Sequence, residues 1–252
     1  MSDLLVALQL YTVRDLTARD FKGTVRQVAQ MGYPAVEFAG YGNLHASEMA
    51  ALLKETGLRA IATHVALSRL VQDLEGEIDY CLTIGCPYLI VPWLPPELRG
   101  ADSLSKLADR FNAIGRRCQE RGLTFAYHNH NFEFEQLDGR YLLDRLRDLT
   151  NPAQVKFELD TYWAAYAGVD PITYLRSSAG RVPLIHVKDM TPDRHYTEVG
   201  DGILDEMGIC KAARDAGAQI YVVEHDQPTI PSLESARRSL ENLRKILSAL
   251  DS

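Results

Sequence analysis

The residues from 124 to 133, TFAYHNHNFE, join an apolar run to a dense set of metal-competent and proton-transfer groups. His128, Asn129, His130, Asn131 and Glu133 follow directly on Phe125, Ala126 and Tyr127. A buried strand ending this way is costly unless something engages those groups, because polar atoms lose their hydration inside a protein. Three more apolar runs end alike: VKFELD at 155–160, PLIHVKD at 183–189 and IYVVEHD at 220–226. Side chains two apart on a strand share a face, so Glu158 goes with Asp160 and His186 with Lys188. Mixed carboxylates and imidazoles suit a labile divalent cation. Mn²⁺ is expected first, with Mg²⁺ or Co²⁺ as alternatives, and Zn²⁺ also accepts a His₂-carboxylate set. The expectation is that four strand ends meet around one metal and one polar substrate.

The elements that must position these groups follow a steady rhythm. Strands are expected at 5–11, 35–40, 58–65, 87–93, 123–129, 154–160, 182–189 and 218–226. Helical spacing of apolar residues, closed by glycines or broken by Asn151-Pro152, predicts helices at 21–32, 47–57, 68–85, 103–122, 139–149, 171–177, 202–217 and 232–250. Pro92 should end the fourth strand, since it cannot donate to a ladder. Strands alternating with helices imply parallel pairing through crossovers. Eight such units in 252 residues favour a closed (β/α)8 TIM barrel of α/β class, one domain over 1–252. A doubly wound open sheet fits less well, because YTVRDLT after the first strand lacks the glycine-rich turn of nucleotide-binding sheets.

In such a barrel the site lies at the carboxyl ends of the strands. Besides the groups already named, those ends carry Gln9, Tyr11, Glu37, His64 and Trp93. These, with Glu133 and Trp163, are the expected substrate-binding residues. Trp93 and Trp163 either pack over the barrel mouth or wall a sugar ring. Arg14 is either paired at the surface or aimed at a substrate oxygen. Lys188 either pairs with Glu158 or Asp160 or acts in proton transfer.

Composition narrows the class. The chain is 46% hydrophobic with a net charge of −7, as expected of a folded enzyme and not of a protein that coats nucleic acid. No apolar run reaches membrane-span length. Asp3 and the missing basic n-region argue against a signal peptide. The four cysteines form no C-x-x-C pair and read as reduced thiols, which points to the cytoplasm. No cluster of Arg and Lys gathers at the strand ends, favouring a substrate without phosphate. The expected partner is a small polar molecule, a carbohydrate or inositol-derived one on the family resemblance given below, with no nucleic acid and no membrane; self-association as a homo-oligomer is left open.

Taken together, QLYTVR, YHNHNFEF, ELDTYW, HVKD followed by VGDG, and VVEHD resemble the xylose-isomerase-like barrel superfamily, in its sugar phosphate isomerase/epimerase branch, over essentially the whole chain. The resemblance implies one divalent metal held by groups from strands five to eight: Asp160, His186 and Glu224, with the first position falling on His128 or, two residues on, His130. His128 stands where many epimerases carry glutamate, so only Glu224 remains of their paired acid/base glutamates. Catalytic roles then fall to Glu224, Glu158, Lys188 and His130. The implied activity is metal-dependent isomerisation or epimerisation of a sugar or keto-sugar through an enediolate. The alternatives are a metal-dependent lyase, dehydratase or hydratase of a keto-inositol or 3-keto-sugar, and a non-enzymatic carbohydrate-binding barrel. The endonuclease branch uses three metals and commonly a histidine where Trp163 stands, which argues against DNA repair.

Overall fold

The computed structural model describes residues 4–250; Asp3 and the outermost positions of the 1–252 reading lie outside the described residues. Eight parallel strands close into a barrel in sequence order: β1 (Leu5–Gln9), β2 (Ala35–Ala39), β3 (Arg59–His64), β4 (Tyr88–Val91), β5 (Thr124–His128), β6 (Val155–Asp160), β7 (Leu184–Val187) and β8 (Ile220–Val223). The crossover helices are α1 (Phe21–Gln30), α2 (Ala46–Thr56), α3 (Leu67–Ile84), α4 (Ala101–Glu120), α5 (Leu142–Leu149), α6 (Pro171–Ser177), α7 (Glu206–Asp215) and α8 (Ser232–Leu250). The expected (β/α)8 architecture is therefore the observed one. No helix among the described residues is long and apolar enough to cross a membrane.

Period-two alternation organises the barrel interior into layers. Ala7, Ala35, Ala62, Ile90, Ala126, Leu184, Ile220 and Val222 form a small inner apolar cluster. Two residues further along the strands, the same inward face carries Gln9, Glu37, His64, His128 and His186. One register shift, between Val36 and Glu37 opposite Ala60 and Ala62, adds a residue to β3 and admits Ile61 to the inner cluster beside Ala62. The larger cluster fills the space between barrel and helices, with Phe111, Phe125 and Tyr127 buried in it.

Several boundaries differ from the sequence reading for local reasons. β1 stops at Gln9, whose side chain accepts the Tyr11 N–H and starts a 3₁₀ turn, Leu10–Val13. The helix read from 139 begins at Leu142, because Asp138 and Gly139 adopt positive φ (51° and 73°) and turn a two-residue ribbon there. The helix read from 202 begins at Glu206, capped by Asp205, whose side chain accepts the Gly208 N–H. α3 breaks at Asp73, which caps its second half through the Gly76 N–H.

Candidate metal centre

Strand register brings the ionisable groups together. His128 lies opposite Glu158 and Asp160 opposite His186 in the ladders β5–β6 and β6–β7, while Gln9 lies opposite Glu37 between β1 and β2. Asp160, His186 and Glu224 each present a ligand atom within 4.8 Å of the others, and all three are buried. His64, His128, Glu158 and His186 form an overlapping group on the same criterion.

The two ring nitrogens of His186 face different groups. Nδ1 lies 2.8 Å from Glu224 Oε2 and 4.0 Å from Asp160 Oδ2. Nε2 lies 2.6 Å from Glu37 Oε2 and 3.2 Å from Glu158 Oε2. Glu158 Oε2 also meets His64 Nε2 at 2.7 Å and His128 Nδ1 at 3.1 Å, so three imidazoles converge on one oxygen. His128 turns its other nitrogen, Nε2, to within 3.8 Å of Asp160 Oδ2. Gln9 closes the network, donating to Glu37 at 2.7 Å.

Lys188 completes the charge balance. Its Nζ lies 2.9 Å from Asp160 Oδ2, 2.5 Å from Glu224 Oε2 and 2.8 Å from Asp226 Oδ2. Of the alternatives open to it in the sequence, the pairing with Asp160 is made; Glu158 is occupied by the imidazoles. Burial opposes the charge on Lys188, but Asp160, Asp226 and Glu224 hold it protonated, well above the ordinary lysine range. Burial also opposes the charge on Glu224, which Lys188 and His186 nonetheless keep ionised, well below the usual carboxylate range. Burial pushes Asp160 up to about 6 despite Lys188 and His186. Burial and the neighbouring charge of Glu158 raise Glu37 to about 7. Burial and Lys188 pull His130 down to about 3, leaving a neutral imidazole.

Above this layer opens a cavity of about 530 Å³, lined in part by Tyr11, Trp93, His130, Lys188, Glu224 and Asp226; His64 and His128 reach it from below. The expected substrate-binding set thus divides. Tyr11, His64 and Trp93 line the cavity. Gln9 and Glu37 are fully buried beneath it. Trp163 packs against His130, ring centroids 5.4 Å apart. Glu133 is turned into the wall, accepting the Tyr127 hydroxyl and the His130 N–H. Arg14 spends its guanidinium on the carbonyls of Tyr11 and Asp226 and does not reach out as a free cation. Two contributors were given no role in the sequence reading. Asp226, read there only as a polar group ending the eighth strand, shares the inward face of Glu224 by the same period-two rule. Arg99 stacks on both Phe132 and Trp93, 3.5 and 4.9 Å from their ring centroids, and as a loop residue carries no periodic signal.

The donor set fits a divalent cation. Asp160 Oδ2, Glu37 Oε1 and Glu158 Oε1 are buried without a well-formed hydrogen bond, a costly arrangement unless a cation compensates it. The two overlapping groups, which share His186, also provide the mixed hard and borderline ligands that such ions accept.

Comparison with known proteins agrees with the geometry. The chain is similar to an inosose dehydratase of Geobacillus kaustophilus, 28% identical over 190 residues, which are 66% of this chain and 61% of that protein. It is also similar to an inosose dehydratase of Clostridium beijerinckii, 27% identical over 141 residues, 56% of this chain and 42% of that one. The matches therefore span about three-fifths or less of these curated relatives. Among solved structures, a sugar phosphate isomerase/epimerase from Parabacteroides distasonis shares the fold with a TM-score of 0.85 at 23% identity, covering 97% of this chain and 94% of that one. The model of one family, the xylose isomerase-like TIM barrel, matches residues 25–246, and the chain belongs to that family.

Proposed function

We propose that this protein is a metal-dependent dehydratase of a cyclic keto-polyol, an inosose or a closely related keto-sugar. The observation that carries the reading is the asymmetry of the cavity wall: one ionised carboxylate from the ligand set, Glu224, faces an ammonium, Lys188, and a neutral imidazole, His130. Epimerisation by two glutamates needs matched groups on opposite faces of the substrate carbon, and His128 takes the place of the second. Elimination needs unlike groups, one base and one acid. The similarity to inosose dehydratases favours the same alternative over isomerisation or epimerisation.

Asp160, His186 and Glu224 would hold the cation, with His128 Nε2 as fourth donor. Asp160 Oδ2 lacks a hydrogen bond, whereas Glu158 Oε2 is already hydrogen-bonded by the imidazoles of His64 and His128. Glu37 accepts from His186 Nε2 and so turns Nδ1 inward, as carboxylates behind ligating histidines do. When bound, the cation supplies Lewis-acid polarisation of the substrate ketone. Glu224 removes the proton α to that ketone with its oxygen not engaged in the cradle. Lys188 protonates the β-hydroxyl, the carbon–oxygen bond breaks, and water leaves with an alkene formed in the ring. His130 hydrogen-bonds a substrate oxygen, while Tyr11 and Trp93 flank the ring. Lys188 is the only Lys or Arg among the residues lining the cavity and is already matched to three carboxylates, which disfavours a phosphorylated substrate.

The test is a keto-inositol supplied with Mn²⁺, followed for ultraviolet absorbance of the dehydrated product and for solvent deuterium uptake. Water loss is expected. Exchange or stereochemical inversion without water loss would instead support an isomerase or epimerase.

A further inference from the structure

Two of the three carboxylate oxygens around the Lys188 ammonium, on Asp160 and Glu224, belong to the cradle assigned above to the cation. Its contacts are unequal in kind. Only the approach to Asp226 Oδ2, at 2.8 Å, has the geometry of a hydrogen bond. The contacts with Asp160 Oδ2 and Glu224 Oε2, at 2.9 and 2.5 Å, are ion contacts without that geometry. Asp160 Oδ2 accordingly has no hydrogen bond. Asp226 is also the most exposed of the three partners, its side chain 20% accessible against 0% for Asp160 and 7% for Glu224, and it lines the cavity.

We propose that Lys188 is an internal surrogate for the cation: its ammonium neutralises Asp160 and Glu224 until a metal enters, then withdraws to Asp226 alone. A flexible four-carbon stem carrying a compact charge suits such a move better than the planar fork of arginine would. A divalent ion and an ammonium cannot share the same two oxygens, since like charges a few ångströms apart repel strongly in a buried site. Withdrawal toward Asp226 also carries the ammonium to the cavity side, where a substrate hydroxyl would lie. Metal loading and placement of the proton donor then become one event. The proposal rests on the reading that Asp160, His186 and Glu224 hold a cation.

The experiment is calorimetric titration of the full chain with Mn²⁺, comparing wild type, Lys188→Met, Asp226→Asn and the double variant. Lys188→Met is expected to bind Mn²⁺ at least about tenfold more tightly, its competitor having been removed. Asp226→Asn is expected to bind several-fold more weakly, because the ammonium loses its alternative seat, and this loss should shrink or vanish in the double variant. Equal or weaker binding by Lys188→Met overturns the exchange, as does an Asp226→Asn effect of the same size in both backgrounds. No Mn²⁺ uptake by any of the four overturns the cation reading together with the exchange. A crystal structure of Mn²⁺-loaded wild type gives the direct check and does not require any variant to fold. Nζ beyond hydrogen-bond distance of Asp160 and still on Asp226 supports the exchange; Nζ retained on Asp160 and Glu224 overturns it.

Discussion

His186 Nε2 lies 2.6 Å from Glu37 Oε2, joining β7 to β2 across the barrel between residues 149 apart in the chain. The contact fixes the imidazole plane and leaves Nδ1 directed at Glu224 and Asp160. Removing a carboxylate from behind a ligating histidine typically costs about 10- to 100-fold in metal affinity or activity. Glu37→Gln is expected to fall in that range, with Mn²⁺ affinity measured by titration. An unchanged affinity would mean that the ring is held by something else.

His186→Ala and Glu224→Ala are expected to lose stoichiometric metal and metal-dependent turnover, by about a thousandfold or more, while retaining a folded circular dichroism spectrum. Metal content by elemental analysis and turnover by product absorbance provide separate readouts. Full metal content and activity in both variants would dismiss the assigned cradle.

Trp93 is 46% exposed at the cavity rim. Its loss should raise KM several-fold with little change in kcat, and shift stability by no more than about 0.5 kcal/mol. Denaturant unfolding and steady-state kinetics of Trp93→Ala test both halves. A collapse of kcat with KM unchanged would move Trp93 from binding the substrate to stabilising the transition state.

Burial raises Glu133 to about 7 against the pull of Tyr127 and the backbone N–H groups. A carboxyl raised in the folded state contributes stability that is full below its unfolded value, near pH 4.5, and is lost as pH climbs through 7. Glu133→Gln should therefore gain on wild type between those limits, by at most about 3 kcal/mol. Urea unfolding at pH 5 and pH 7.5 measures it. A difference between wild type and variant that is the same at both pH values would rule out ionisation of Glu133 as its cause.

The barrel was legible because its signals are periodic. Apolar runs ending in His, Asp, Glu or Lys marked the upper rim, and alternation placed Glu158 with Asp160 and His186 with Lys188 on one face. Three features were hidden because they are made by tertiary contacts or by residues with two roles. Asp160 both faces the cradle and caps the unforeseen turn Thr161–Tyr166 through the Trp163 N–H, at 2.9 Å. The opposite destinations of the two His186 nitrogens depend on strands far apart in the chain. Glu133 sits beside the histidines in sequence, yet the 3₁₀ turn Phe132–Phe134 rotates it into the wall. The Asp138-Gly139 hairpin, by contrast, carried a readable turn signal that the helical pattern beyond it obscured.

The four alanines of the inner cluster, Ala7, Ala35, Ala62 and Ala126, have a consequence for how this protein tolerates change. Their small side chains leave room for the ionic layer to sit low, so its height within the barrel is set from underneath. A bulkier neighbour such as leucine at Ala126 would lift His128 and its partners without touching any of their polar atoms. Selection for the reaction should therefore keep these positions small, and steric substitution at the base of the barrel becomes a means of retuning the chemistry at its rim.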